Sequence, residues 1–285
     1  MSDRPANERP MSVLPGGGAS MGPMTDRDTS LPDPAQPSAP VLYTGIVLYS
    51  AEDPEASAML VADGLIAWTG TEDSALVLFP DARRIDATGC LVTPGFVDAA
   101  ATAEEDADAA ARGIVLRLPG PTGTREGVRV IAPVTESADY LDLVGEGTPL
   151  AFGSAGAPEA ADPWDWVRAA TRTAPAAQRI SDRAAFLAAS RGGQRVAGHR
   201  HPGTLRTGLE ATFVVWEPWD LTVQSHAERV DSWSTDPRSR TPLLPDLDQG
   251  SPRALRTVID GRTVHDLLGQ DGALGQDGAL GQDDA

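Results

Sequence analysis

Lysine is absent from the chain, and all 23 basic residues are arginines. A Schiff-base enzyme, a phosphate-binding loop built around lysine and a metal pair bridged by a carboxylated lysine are therefore all excluded. Cysteine is nearly absent as well, because Cys90 is the only one among 285 residues. A single thiol excludes an intramolecular disulfide and every zinc or iron–sulfur centre that needs several cysteines. This cysteine usage predicts an intracellular protein.

Positive charge is scarce relative to negative charge: 41 aspartates and glutamates outnumber the arginines, and the formal net charge is −18. Such a surface would repel phosphate backbones and anionic lipids, so neither nucleic acid nor a membrane is expected as a partner. No apolar run approaches the ~18 residues that a membrane span needs, and no basic patch followed by an apolar run opens the chain. We therefore expect a cytoplasmic location.

Both ends of the chain lack apolar periodicity. Residues 1–40 are rich in Pro, Gly, Ser, Asp and Met, a composition that cannot offset the entropy of ordering, and they are predicted to form a disordered tail. Residues 267–285 form a low-complexity tail that contains a hexapeptide repeat, Leu-Gly-Gln-Asp-Gly-Ala. Calcium binding by this repeat is an alternative, but each unit offers one carboxylate where calcium takes six to eight oxygen ligands. A second disordered tail is therefore predicted.

Between these tails, short apolar runs punctuated by Gly, Pro and Asp predict strands, and Ala-rich runs predict helices. The predicted strands cover 41–49, 58–62, 64–70, 82–86, 90–98 with an interruption at Pro94-Gly95, 113–118, 128–134, 149–152, 211–216 and 256–260. The predicted helical segments cover 102–112, 163–173 and 181–189, and 137–144 is predicted to be a helix or a turn. The first strands resemble a small antiparallel unit, after which strands and helices alternate. This order predicts the α/β class.

Two of these helices carry start signals. Asp162 precedes Pro163, which favours an N-cap followed by proline at the first helical position. Ser181 is the predicted N-cap of the other helix, which is expected to end before Gly192-Gly193.

The segment Thr93-Pro-Gly-Phe-Val-Asp98 resembles the start of the barrel in the amidohydrolase superfamily, where Pro-Gly-Phe-(Val/Ile)-Asp is followed by x-His-x-His. The preceding Ile85-Asp-Ala-Thr-Gly89 resembles the Asp-Ala-x-Gly pattern of the family's β-sandwich. Further along, Gly147-Thr-Pro-Leu-Ala-Phe-Gly-Ser154 resembles the last barrel strand, which ends Gly-Ser-Asp in the family. Val258-Ile-Asp-Gly-Arg-Thr-Val264 resembles the family's final hairpin. Within the superfamily, the Gly-Ser and Asp-Pro-Trp segments are most similar to enzymes that act on amides and cyclic amides.

The resemblance implies a composite β-sandwich built from residues 41–90 and 203–266. Residues 91–202 between its halves are then a truncated remnant of the family's metal-dependent (β/α) barrel. Only 57 positions separate Asp98 from Ala155, whereas one strand–helix–strand unit takes about 30 residues. A closed eight-fold barrel of roughly 250 residues therefore cannot form. The missing middle reflects either a deletion in evolution or an error in the gene model.

The family's chemistry depends on one or two divalent metal ions, such as zinc, that activate a water molecule, and on an aspartate that moves its proton. On the resemblance, the first two imidazole positions are Ala100 and Thr102, and the aspartate position is Ala155. None of these side chains supplies an imidazole or a carboxylate. The expectation is therefore that the chain has no catalytic residue of the family type and binds no metal cofactor.

Other residues offer weaker candidates for a site. His199 and His201 have the x-His-x-His spacing, but they lie in a Gly- and Arg-flanked loop, and a metal site needs three or four ligands. His226 and His265 are isolated in the sequence and are predicted to be surface residues. Cys90, in an apolar strand with no histidine nearby in sequence, is predicted to be inert packing.

The acidic run that follows Asp98 also has two interpretations. Asp98 with Glu104 and Glu105 could be taken for a carboxylate dyad. We favour first-turn charges that complement the dipole of the helix predicted over 102–112.

Five tryptophans could line an aromatic pocket, namely Trp164, Trp166, Trp216, Trp219 and Trp233. Because Trp164 and Trp166 are two residues apart, they are expected on different helix faces, with one of them in the core.

The leading functional hypothesis is an amidohydrolase-family protein whose ancestral activity is hydrolysis of non-peptide carbon–nitrogen bonds and whose own catalysis is impaired. The alternative is a non-enzymatic binding or scaffold protein that pairs with itself, as a homo-oligomer, or with a full-length paralogue. A nonfunctional gene product is a third reading of the same residues. Metal content separates the first hypothesis from the others.

Overall fold

The computed structural model describes residues 39–199, 203–222, 242–248 and 250–268. Apart from residues 39–40 and 267–268, the two predicted tails lie outside these ranges, as do His201, His226 and Trp233. No helix among the described residues is both long enough and apolar enough to span a membrane.

Short strands dominate the first and last parts of the chain, and the helices lie between them. The strands are β1 (Val41–Thr44), β2 (Val47–Leu48), β3 (Ala58–Ala62), β4 (Leu65–Gly70), β5 (Arg83–Asp86), β6 (Leu91–Thr93), β7 (Phe96–Ala101), β8 (Ile114–Pro119), β9 (Gly123–Arg125), β10 (Val128–Ile131), β11 (Leu150–Phe152), β12 (Phe213–Trp216), β13 (Leu221–Thr222), β14 (Leu244–Pro245), β15 (Ala254–Ile259) and β16 (Arg262–Asp266). The α-helices are α1 (Glu72–Leu78), α2 (Tyr140–Gly145), α3 (Pro163–Arg168), α4 (Asp182–Leu187) and α5 (Gly193–Val196). Three 3₁₀ turns lie at Ala110–Arg112, Pro158–Ala160 and Ala176–Gln178, and π-helical turns extend α3 over Ala169–Thr173 and α4 over Ala188–Gly192.

One sheet contains only strands from the first part of the chain, and a second sheet combines strands from the first and last parts. One sheet has the order β4-β3-β1-β5 and the other has the order β16-β15-β12-β6-β2. In the second sheet β12 pairs antiparallel with β6 and with β15, so strands from both sides of the central region share one hydrogen-bonded layer. The two sheets meet in a common hydrophobic cluster, in which the rings of Tyr43 and Phe213 pack edge to face with centroids 5.3 Å apart.

The central region supplies parallel strand pairs of the kind that strand–helix alternation predicts. β7 pairs in parallel with β8, and β10 pairs in parallel with β11. β7 also lies beside β11, to which it is linked through the side chain of Asp98 rather than by a strand ladder. These strands form no closed barrel within the described ranges. The α/β class is confirmed, while the sandwich and barrel-remnant assignments stay interpretations.

The helices cover one side of the central strands with an aromatic core. Phe96 at the start of β7 packs edge to face against Trp164 at 4.8 Å and against Phe186 at 5.5 Å, measured between ring centroids. Trp216 of β12 joins the same cluster, 5.2 Å from Trp164. Burial of such large rings supplies much of the apolar area that holds helices and strands together. This core fixes β7 relative to α3 and α4.

Both predicted helix starts are confirmed. The carboxylate of Asp162 accepts a hydrogen bond from the amide of Trp164 at 2.9 Å, with Pro163 at the first helical position. The hydroxyl of Ser181 accepts from the amide of Ala184 at 3.2 Å.

Two helix predictions are wrong. Residues 102–112 contain only the 3₁₀ turn at their end, because the Asp106 carboxylate accepts from the Asp108 amide at 3.0 Å, a local bond that competes with helix formation. The helix that begins at Asp182 does not end before Gly192-Gly193, but continues through them to Val196. A short helix that was not predicted, α1, follows β4.

Candidate functional site

The carboxyl ends of β7 and β11 meet at one buried carboxyl group. Asp98, whose residue surface is 2% exposed, accepts hydrogen bonds from the amide of Ser154 at 2.9 Å and from the hydroxyl of Ser154 at 2.6 Å. The amide of Ala100 also donates to it, at 3.2 Å. A buried carboxyl group needs this number of partners to offset its lost hydration. Asp98 therefore ties two strands that are 56 residues apart in sequence.

Small residues allow these strand ends to approach each other. A Cβ atom placed on Gly153 would lie 2.4 Å from the amide nitrogen of Ala100 and 2.6 Å from Oδ1 of Asp98. Any larger residue at position 153 would therefore push β11 away from β7. The Gly-Ser pair at 153–154 thus allows β11 to lie against β7.

The three positions that the sequence matches to family ligands lie at this same end. Ala100 is 1% exposed and adjoins Asp98 through its own amide. Thr102 follows the end of β7, and a Cβ atom on Gly156 would lie 2.3 Å from its Cγ2 atom. Ala155 lies between Ser154 and Gly156 and is exposed. The fold thus brings these positions together, but the side chains there are two methyl groups and one hydroxyl-bearing chain.

The backbone at Ala155 has a conformation that suits another residue better. Its φ is 51°, in the left-handed region, where a non-glycine residue is uncommon and where asparagine and aspartate are enriched. A carboxylate residue at this position would fit the turn at least as well as alanine does.

Two guanidinium groups flank the junction. Arg117 of β8 places Nε 3.8 Å from Oδ2 of Asp98 and donates to the Glu105 carbonyl at 2.8 Å. Arg125, at the end of β9, donates to the carbonyl of Ala99 at 2.6 Å and to that of Pro119 at 3.3 Å. Arg117 thus lies between the carboxylates of Asp98 and Asp106, each 3.8 Å from one of its nitrogen atoms, whereas Arg125 is held by backbone carbonyls.

Comparison with known proteins gives one relative by sequence and several by structure. No family model matches the chain. An imidazolonepropionase of Salinispora arenicola (strain CNS-205) is 39% identical over 87 residues, which are 30% of this chain and 21% of that enzyme. The chain thus matches about a fifth of the length of that curated relative.

Among solved structures, triazine hydrolase from Arthrobacter aurescens aligns with a TM-score of 0.53 and 13% identity, over 81% of this chain and 95% of that chain. A variant of triazine hydrolase aligns with a TM-score of 0.54 and 12% identity, over 80% of this chain and 95% of that chain. Enamidase, described as a member of the amidohydrolase superfamily, aligns with a TM-score of 0.48 and 15% identity, over 80% of this chain and 96% of that chain. The chain is similar in fold to triazine hydrolase. At these identities the structural likeness concerns the fold.

The donors at the amidohydrolase-like strand ends do not fit a divalent metal ion. Zinc takes imidazole, thiolate or carboxylate ligands, and a catalytic site needs three of them from the protein. Within the described ranges no group of three or more His, Cys, Asp or Glu side chains is placed to hold a metal ion. Asp98 is the carboxyl group at this end, and its oxygen atoms already accept three hydrogen bonds. The metal centre of the family therefore has no counterpart in these donors.

The weaker candidates are scattered. His199 is exposed, with Nδ1 against Oε1 of Gln194, and it lines a cleft at the other end of β7. His265 of β16 approaches the carbonyl of Ala254 at 3.2 Å. Neither histidine is brought to the Asp98–Ser154 junction.

The acidic run after β7 is predicted to be the first turn of a helix, and this prediction is wrong. Glu104 and Glu105 are exposed, whereas Asp106 pairs with Arg112 at 2.5 Å. The Asp106–Arg112 pair thus stabilises the irregular connection from β7 to β8, and no helix is present there whose dipole these charges could complement. They form no dyad with Asp98, whose partners are Ser154, Ala100 and Arg117.

Cys90 is buried at the start of β6, where burial, together with the nearby carboxylates of Asp86 and Glu217, raises the pKa of its thiol to about 11. A protonated, inaccessible thiol is not a nucleophile, in agreement with the packing role predicted for it.

Of the five tryptophans considered for an aromatic pocket, Trp164, Trp166 and Trp216 pack in the core, and Trp233 lies outside the described residues. Trp164, Trp166 and Trp216 are each at most 1% exposed. The expectation that one of Trp164 and Trp166 enters the core is wrong, because both are buried. Strands and the turn at Ala160 enclose α3 from more than one side. Nε1 of Trp166 donates a hydrogen bond to the Ala160 carbonyl at 2.8 Å. Trp219 is half-buried, with Nε1 donating to the Asp246 carbonyl at 2.7 Å.

Sequence reasoning missed the residues that organise this end of the strands. Ser154 appeared only as part of a family pattern, and Arg117 and Arg125 were not singled out. The one signal in the sequence was Asp98 itself, a carboxylate inside an apolar strand, which requires buried partners.

Proposed function

We propose that this chain descends from amidohydrolases that cleave non-peptide carbon–nitrogen bonds and that it acts without metal-dependent catalysis, as a binding or scaffold protein. The observation that supports this most is the convergence of Ala100, Thr102 and Ala155 at the Asp98–Ser154 junction. The strands meet as they would to assemble a site, but their ends carry no imidazole and no free carboxylate.

Amide hydrolysis makes demands that these side chains do not meet. Water must lose a proton before it attacks the carbonyl carbon, and the leaving nitrogen must gain one. General acid–base catalysis contributes typically about 10²–10⁴-fold, and a metal ion that lowers the pKa of its bound water contributes further. A methyl group at Ala155 cannot carry a proton in either direction.

Asp98 is not available to take over this role. Its two oxygen atoms accept three hydrogen bonds, and Arg117 lies 3.8 Å away. A proton moved onto Asp98 would remove the negative charge that strengthens the 2.6 Å bond from the Ser154 hydroxyl. The group is therefore a structural acceptor in this proposal.

The proposed ancestral substrates are amides and cyclic amides, as the resemblance to the family implies. The names of the imidazolonepropionase and the triazine hydrolase are consistent with enzymes of nitrogen-containing ring compounds. The proposed partner is a second copy of this chain or a full-length relative.

Metal content tests the proposal directly. Purified protein, incubated with zinc, manganese or iron(II) and then dialysed, is expected to retain far less than one equivalent by elemental analysis, because the strand ends lack three ligands. A reference protein of known metal content, treated identically, controls for losses during dialysis.

A full equivalent of metal in this chain would contradict the proposal. If that equivalent persists in a His199→Ala/His201→Ala double variant, the ion is not held by these loop imidazoles. If it disappears, they have formed a new site.

A further inference from the structure

The two most exposed large apolar side chains among the described residues are neighbours on α1. Val77 is 79% exposed and Leu78 is 57% exposed. The residues on either side of them in sequence, Leu76 and Phe79, are half-buried. A single exposed apolar residue is ordinary, whereas a group of adjacent ones is typical of an interaction site. The whole group lies inside the continuous described range 39–199.

The strand register shows how α1 lies on the first sheet. β5 pairs in parallel with β1, and β3 is antiparallel to both β1 and β4, so β4 and β5 run in the same direction. α1 connects these two strands and therefore crosses the sheet in the reverse direction. Its buried residue Ala75 packs with Leu42 of β1 and Leu60 of β3. Val77 lies about 200° around the helix from Ala75, on the side away from the sheet, because each residue turns an α-helix by about 100°.

Acidic residues begin α1, and a basic residue lies near its other end. Glu72 and Asp73 are in the first turn, and Asp73 is one turn before Val77 on the same exposed side. Arg84, near the start of β5, is the register partner of Leu42 and so lies on the face that α1 covers. Asp73 and Arg84 are exposed, and neither forms an ion pair with any residue that the structure describes.

We propose that two copies of this chain associate through α1, with the two helices antiparallel about a twofold axis. A twofold interface uses the same surface on both copies, so Val77 and Leu78 of one copy pack against those of the other. The antiparallel arrangement brings Asp73 of each copy towards Arg84 of the other, which is a complementary pairing of charges. Asp81, an exposed carboxylate near Arg84, opposes this pairing. The surface is thus self-complementary in its apolar centre and at its two ends, which favours a second copy over an unrelated protein.

This inference deepens the proposed pairing with a second copy and rests on it, but it can fail separately from the loss of metal-dependent catalysis. Metal retention is measured at the ends of β7 and β11, whereas the association is measured at α1 without any metal.

The test is sedimentation equilibrium of the full chain over a wide range of concentrations. We expect a reversible equilibrium between monomer and dimer. Val77→Ser and Leu78→Ser are each expected to raise the dissociation constant about 10- to 100-fold, since each removes a buried apolar side chain from both copies. Val264→Ser is the matched control, because Val264 is 49% exposed but belongs to β16, and it is expected to associate as the unmodified chain does.

Charge exchange tests the antiparallel arrangement. Asp73→Arg and Arg84→Glu are each expected to raise the dissociation constant by about 5-fold or more, because each reversal acts at two symmetric contacts. The double variant, in which both signs are exchanged, is expected to recover the affinity of the unmodified chain, and Asp81→Asn is expected to exceed it. A chain that stays monomeric at every concentration would overturn the proposal. So would equal association of the Val77→Ser and Val264→Ser variants, or a double charge variant no tighter than the single ones.

Discussion

Replacing Gly192 with alanine is expected to destabilise the protein by about 1–3 kcal/mol or more, the range found when a well-packed interior is overfilled. A Cβ atom at this position would lie 2.0 Å from the carbonyl oxygen of Leu150 and 2.9 Å from the Cα atom of Ala151. Both contacts are with the backbone of β11, so neither can be relieved by a side-chain rotation. The helix would have to move away from the strand that carries Gly153 and Ser154.

A matched glycine separates this effect from helix propensity. Gly145 ends α2, and a Cβ atom there would meet nothing within 4 Å. Gly145→Ala is expected to be neutral or stabilising by up to about 1 kcal/mol, because alanine favours the helix more than glycine does. Urea unfolding with linear extrapolation measures both variants. Equal effects of the two substitutions would show that α4 and its extension do not pack closely on β11.

Replacing Asp98 with alanine is expected to lower the free energy of unfolding by about 3–5 kcal/mol. The substitution leaves the amide and hydroxyl of Ser154 and the amide of Ala100 without their acceptor in a buried place. Each buried polar group that loses its partner costs about 1–3 kcal/mol. Since small domains are stable by about 5–15 kcal/mol, this change would remove a large fraction of the total.

Two controls identify the cause of that loss. Asp98→Asn keeps one acceptor oxygen, so it is expected to be less destabilising than alanine. Asp108→Ala, which removes an exposed carboxylate from the same region, is expected to change stability by less than about 0.5 kcal/mol. An Asp98→Ala variant as stable as Asp108→Ala would refute the view that Asp98 joins β7 to β11.

The sequence was most informative where a local rule decides the structure. The Pro-Gly pair at 94–95 separates β6 from β7, because proline cannot donate to a strand ladder. Asp162 and Ser181 begin helices because their side chains satisfy amide groups that a helix leaves free at its start. Strand positions and helix starts of this kind depend on a few neighbouring residues.

Tertiary contacts decided the features that the sequence did not predict. Gly192-Gly193 has the pattern of a helix end, yet the helix continues because these glycines let it lie against Leu150 and Val97. The Ala-rich segment 102–112 has helix propensity, yet the hydrogen bond from the Asp108 amide to Asp106 and the ion pairs of Asp106 with Arg112 and Arg117 hold an irregular path. Propensity is a weak prior that such contacts override.

The candidate site was predictable as a set of positions, and its geometry was not. The family resemblance pointed to Ala100, Thr102 and Ala155, and the structure brings all three to the strand ends beside Asp98 and Ser154. The bond from Ser154 to Asp98 spans 56 residues, and no spacing rule relates such distant positions.

The most direct measurement is steady-state hydrolysis of amides and cyclic amides by the purified chain with added zinc, manganese or iron(II). We expect no turnover above the protein-free background, and none from an Ala155→Asp variant, because a restored carboxylate would have no activated water to deprotonate. The left-handed backbone at Ala155 accommodates aspartate, so that variant is expected to fold and to test chemistry alone. Slow, steady hydrolysis that requires the metal, stops with a chelator and is absent from the His199→Ala/His201→Ala variant would contradict the proposal that this chain works without metal-dependent catalysis.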